Sequence, residues 1–99
     1  MTISDFLTES SWRSGSYALD ANDFPCSPTS DHAAKWGLFG ACCRAAGGYH
    51  RTVEFERIAN AVRSACRELS GDADFEAWEK TADWSQVERL IRRAEELLS

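Results

Sequence analysis

Six side chains in this sequence could ligate a metal or supply a nucleophile and its base: Cys26, His32, Cys42, Cys43, His50 and Cys66. A structural zinc site draws its ligands in pairs two to four residues apart, so that one turn presents both at once. No such pair occurs here, and no Cys-x-x-Cys. Cys42 and Cys43 are adjacent, and on a helix they diverge by about 100°. No metal and no other cofactor is therefore expected. Nucleophilic catalysis needs a Ser or Cys beside a base and an oxyanion donor. There is no Gly-x-Ser-x-Gly, and Gly37-x-x-Gly40 falls inside an expected helix, not ahead of one where it could cradle phosphate. His32 is placed in the first turn of that helix and His50 in the connection after Gly48. No convergent polar site emerges, so an enzyme is not expected.

The carboxylates are the other reactive groups, and they come in blocks. Residues 1–34 carry Asp5, Glu9, Asp20, Asp23 and Asp31 against Arg13, a net of −4; residues 71–83 carry Asp72, Asp74, Glu76, Glu79 and Asp83 against Lys80, again −4. Residues 35–70 are net +3 and the last sixteen residues balance, giving −5 for the chain. Such a chain repels phosphate backbones at long range. Its arginines (Arg57, Arg63 and Arg67, then Arg89, Arg92 and Arg93) alternate with glutamates, the pattern of a solvated helix face with local ion pairs. Direct nucleic-acid binding is accordingly not expected. Pairs such as Asp72 and Asp74 read as caps and loop charge, not as an acid–base couple.

The elements that position these groups follow from the apolar pattern. Ninety-nine residues with 43% hydrophobic content suit one folded domain, residues 1–99. No apolar run is long enough to cross a bilayer. The first residues have neither a basic nor an apolar leader region, so four reduced thiols acting as small apolar filler in the cytoplasm are expected. Residues 34–46 have almost no polar face at helical pitch. Ala34, Gly37, Gly40, Ala41 and Ala45 gather on one side, Trp36, Leu38, Phe39, Cys42, Cys43 and Ala46 on the other, and only Lys35 and Arg44 interrupt. A helix apolar all round is an interior helix. Its Gly/Ala side should let a neighbour approach closely, and Gly47-Gly48 should stop it.

Around it, a short helix is expected over residues 4–10, with Ile3, Phe6 and Leu7 facing inward. Trp12-Arg13-Ser14-Gly15 reads as a turn, Tyr17-Ala18-Leu19 as a brief extended piece, and residues 22–30 as a loop rich in Asn, Asp, Ser and Pro. Pro28 behind Ser27 could start the central helix early. A long amphipathic helix spans about 52–69, with Phe55, Ile58, Ala59, Val62, Ala65, Cys66 and Leu69 inward. One helical turn at 75–80 inserts Phe75 and Trp78. A last helix follows Asp83, capped with Gln86. The expected fold is all-α: a single-domain bundle of three main helices and one or two short ones around the Gly/Ala-rich central helix.

Three segments taken in order carry a family resemblance: Trp12-Arg13-Ser14-Gly15; Ala34-Lys35-Trp36 leading into Gly40-Ala41 and Ala45-Ala46; and Trp78 followed by Val87 and Arg93-Ala94. This resembles a family of small uncharacterised bacterial and phage proteins, domains of unknown function. Its pattern has a Trp-Cys-x-Gly-Ala turn, an Arg-Trp-Cys-x-x-Gly-Ala helix and a Trp-Asn-Asp segment before the last helix. Arg13, Gly37 and Glu79-Lys80 depart from it. The resemblance implies a bacterial or phage origin and no particular activity.

The remaining class is a binding module. A compact acidic domain without a cofactor motif works by surface complementarity to another protein. The expectation is an inhibitor or adaptor of anti-CRISPR type, whose carboxylates Asp20, Asp23, Asp31, Asp72, Asp74, Glu76 and Glu79 cover a basic surface of a host protein complex and exclude its ligand. The alternative is a self-associating structural component, a homodimer whose patch would draw on Trp12, Tyr17, Phe24, Tyr49 and Trp84.

Overall fold

The computed structural model describes residues 2–48 and 52–99; Tyr49 and His50 lie outside the described residues. The chain opens with a 3-10 turn at Ile3–Asp5, followed by strand β1 (Ala18–Asp20), strand β2 (Ala33–Trp36), and helices α1 (Leu38–Ala45), α2 (Val53–Ser70), α3 (Phe75–Glu79) and α4 (Trp84–Leu98).

The two strands correct the all-α expectation. β1 and β2 pair antiparallel, with Ala18 opposite Trp36 and Leu19 opposite Lys35, so the fold is α+β. Residues 34–36, assigned above to the central helix, are extended. A backbone segment follows the partner that satisfies its hydrogen bonds, and here Trp36 N–H donates to Ser11 O (2.8 Å) while Trp36 O accepts from Arg13 N–H (3.0 Å). His32 consequently sits in the turn before β2, not in a helix. The helix expected over residues 4–10 shrinks to the 3-10 turn, although Ile3 and Leu7 are buried and Phe6 packs on the core as anticipated.

α1 begins only after Gly37, and its Leu38, Gly40, Ala41, Cys42 and Cys43 are all buried. The close approach foreseen on its small-residue side is real, but the neighbour is a loop. A Cβ at Gly37 would overlap the Ser16 carbonyl oxygen, and one at Gly40 the Tyr17 carbonyl oxygen. The segment 13–17 therefore lies directly on the helix start, and only glycine leaves room for it.

α2 and α4 make the most extensive contact between elements. α2 is capped by Thr52, whose side chain accepts from Phe55 N–H at 3.1 Å. At the start of α4, Asp83 accepts from Gln86 N–H (2.9 Å) while the Gln86 side chain accepts from Asp83 N–H (3.0 Å), the reciprocal box read from the sequence. One apolar cluster draws on every helix and both strands. Trp36 lies inside it, with Phe39 and Trp78 packed against it.

Trp36 is also the packing post for the loop before it. Its indole N–H donates to Pro28 O (3.0 Å), and its ring meets Phe6 edge-on at 5.0 Å. The Arg44 guanidinium stands 4.8 Å from that ring and donates to the same Pro28 oxygen. A cation over an aromatic face keeps its charge while its stem packs on the core. No helix is long and apolar enough to cross a membrane among the described residues.

Candidate functional site

The charged group held most tightly by the fold is Glu79, at the end of α3, which is only 3% exposed. Burying a carboxylate is costly unless donors surround it. One of its oxygens, Oε2, accepts from the Trp12 indole N–H (2.7 Å) and from Leu38 N–H, the first residue of α1 (2.8 Å). The Gly15 N–H lies close enough to favour its charged form as well. Gly37, the N-cap of α1, has no side chain to offer, and Glu79 satisfies from another element one of the unpaired N–H groups at the helix start, that of Leu38. Ser14 Oγ donates to the Glu79 carbonyl oxygen at 2.9 Å and closes the same contact from outside. Burial pushes the Glu79 carboxyl above its ordinary value, against the opposing pull of these three donors; nearby Glu76 raises it further.

Beside Glu79 lies a notch of about 220 Å³ lined by Gly15, Ser16, Tyr17, Phe39, Glu76, Glu79 and Lys80. The wall is aromatic: Tyr17 and Phe39 meet at right angles with centroids 5.6 Å apart. The Tyr17 hydroxyl is 3.2 Å from Cys43 Sγ. Burial and this contact push the phenol up to about 12, and burial pushes the Cys42 thiol up to about 12 as well. Cys43 and Cys66 are raised for the same reason. These three thiols are thus protonated at neutral pH, a poor state for a nucleophile or metal ligand. Among the described residues no three His, Cys, Asp or Glu side chains converge as metal ligands.

The carboxylates proposed from the sequence fall into different environments. Glu79 is the one to correct: spaced four residues from Phe75, it points inward with it, and its Oε2 is taken up inside the fold by Trp12 and Leu38. That spacing was the signal in the sequence, obscured by counting it with the loop charges. Asp20 accepts from Asn22 and Phe24 N–H (2.9 and 3.0 Å) and so builds its own turn. Asp23, in the left-handed region at φ 66°, pairs with Lys35, which holds its carboxyl below the usual range. Asp72 accepts from Asp74 N–H, and Asp74 caps α3 through Ala77 N–H. Asp31 and Glu76 are exposed and make no hydrogen bond or ion pair among the described residues.

The arginines behave otherwise. Arg57 with Glu54, Arg63 with Glu56, Arg92 with Glu88, and Arg93 with Glu68 and Glu96 neutralise the outer faces of α2 and α4. Of the aromatic residues suggested for a dimer patch, Trp12 and Trp84 pack on each other at 6.2 Å, and both are half-buried. Tyr17 and Phe24 are exposed, at 43% and 65%.

Trp12 donates to Glu79, Gly15 lines the notch beside it, Trp36 bridges to Trp12, and Gly40 lies against the Tyr17 carbonyl. No curated protein and no solved structure matches the chain. Residues 2–97 match the pattern of a family of unknown function, DUF6197, and the chain belongs to that family.

Proposed function

We propose that this is a cytoplasmic, acidic protein-interaction module, acting by binding and not by catalysis, whose carboxylates cover a basic surface of a partner protein complex. The observation that carries the reading is the uneven pairing of charge. On α2 and α4, Arg57, Arg63, Arg92 and Arg93 are engaged by glutamates and only Arg67 and Arg89 lack an ion pair among the described residues, whereas Asp31, Asp72, Asp74 and Glu76 all have no cationic partner there. Unmatched charge of one sign steers association with the opposite sign and suppresses wrong partners. An inhibitor of anti-CRISPR type is one member of this class, acting by occlusion.

The test compares the wild-type chain with an Asp31→Lys/Glu76→Lys variant as bait in a bacterial lysate, at low salt and at about 0.5 M, where exposed charges are screened beyond a few ångströms. A partner held by the wild type at low salt, and lost both in the variant and at high salt, is the expected result. Capture indifferent to both changes would overturn the assignment. Self-association is the second reading, favoured by the exposure of Tyr17 and Phe24. Light scattering decides it, with a monomer mass at all concentrations counting against it.

A further inference from the structure

We propose that the notch beside Glu79 receives a single basic side chain, arginine or lysine, from the partner protein, with Glu76 as its carboxylate and Tyr17 and Phe39 as its aromatic wall. This deepens the interaction-module reading and rests on it. The space, about 220 Å³, is many times the roughly 10–15 Å³ that admits a single water, enough for a charged head and part of its stem. Glu76 contributes a carboxylate with no ion pair among the described residues, and the buried Glu79 beneath it adds negative potential, with its Oε2 already taken by Trp12 and Leu38.

The ring of Tyr17 is held in advance by its hydroxyl on Cys43 Sγ and by its edge contact with Phe39, yet 43% of the residue stays open. A cation over a fixed ring, with a carboxylate at the rim, matches what an arginine or lysine needs: a charge partner, a π face and an apolar seat for its methylenes. The groove along Glu68, Arg93 and Glu96 lacks this imbalance, because its own ion pairs fill it. Lys80 lies on the notch rim; its charge opposes an incoming cation, so the resident lysine sets an upper limit on affinity.

The experiment is a nuclear magnetic resonance titration of the full chain with Nα-acetylarginine amide, using the uncharged Nα-acetylcitrulline amide as its isosteric control. Saturable shifts are expected at the Gly15, Ser16, Phe39 and Lys80 amides with the arginine probe and not with citrulline. Glu76→Gln should weaken binding by up to about fivefold, the upper end for an exposed charge pair, and Lys80→Gln should strengthen it. Equal response to citrulline, shifts scattered over Asp31, Asp72 and Asp74, or indifference to Glu76→Gln would overturn the notch. If the probe fails while lysate capture still depends on Asp31 and Glu76, the notch falls and the module reading stands. If the probe binds as expected while capture ignores those charges, the notch is an arginine-binding site but the carboxylate-led docking of the module reading falls.

Discussion

At the scale of single residues, Glu79 decides more than any other side chain. Its carboxylate joins the turn at residues 12–15, the start of α1 and the end of α3. Removing it leaves the buried Leu38 N–H and the part-buried Trp12 indole N–H without acceptors, and a buried orphan costs about 1–3 kcal/mol. Glu79→Ala should therefore lose about 2–5 kcal/mol in urea unfolding followed by tryptophan fluorescence. Glu79→Gln keeps one oxygen for those donors and should lose less. The two variants also separate charge from shape. Because the folded-state value lies above the ordinary 4.5, the folded chain binds more protons than the unfolded one between the two values. Stability should accordingly fall as pH rises from about 4.5 through the raised value. Glu79→Gln should lack that slope when the two pH profiles are subtracted, whereas Asp23 and Glu68, held low by Lys35 and Arg93, act in the opposite sense and cancel in the difference.

At the scale of elements, helix propensity and packing make opposite forecasts for Gly40. Alanine in a helix is worth about 1 kcal/mol over glycine, but its Cβ would meet the Tyr17 carbonyl oxygen. Overpacking against backbone costs about 1–3 kcal/mol and cannot be relieved by a rotamer change. Gly40→Ala should lower the midpoint of thermal unfolding, and a rise would show that residues 13–17 are not anchored there. Asp83→Ala, which removes the cap of α4, should lose about 1 kcal/mol. These contrasts also explain what the sequence made legible. α2 and α4 were readable because Phe55 to Cys66 and Val87 to Ala94 repeat at three and four residues, and because Thr52 and Asp83 with Gln86 mark their starts. β2 was not, since Ala33-Ala34-Lys35-Trp36 has no β-branched residue and no alternation. Its conformation is set by partners from Ser11 to Asp20, earlier in the chain, and local pattern carries no record of a distant partner. The candidate site was half legible for a related reason. The exposed carboxylates could be counted, but the notch and the burial of Glu79 arise only where residues 12–17 cross α1 and α3.

At the scale of the molecule, the segment 2–17 holds the helices together although it contains almost no regular structure. Ser4 N–H donates to Glu95 on α4 (3.0 Å), Ser11 and Arg13 flank Trp36, Ser16 O accepts from Gly37 N–H (3.0 Å), and Trp12 and Ser14 bind Glu79. Ile3 and Leu7 supply core from the same stretch. Burying two such side chains contributes about 3–6 kcal/mol, comparable with the whole stability of a domain this size, about 5–15 kcal/mol. A chain lacking residues 1–17 should therefore lose cooperative unfolding: a broad thermal transition, weak near-ultraviolet dichroism and dye-accessible apolar surface, with helical signal partly retained. The thiols give an independent reading of the same collapse. In the intact chain Cys42, Cys43 and Cys66 are buried and only Cys26 is partly open, so one fast-reacting thiol is expected against aromatic disulfide reagents and four in the truncated chain. A truncated chain that unfolds sharply and still shields three thiols would mean that the helices and their glycine-lined junction stand without the segment laid over them.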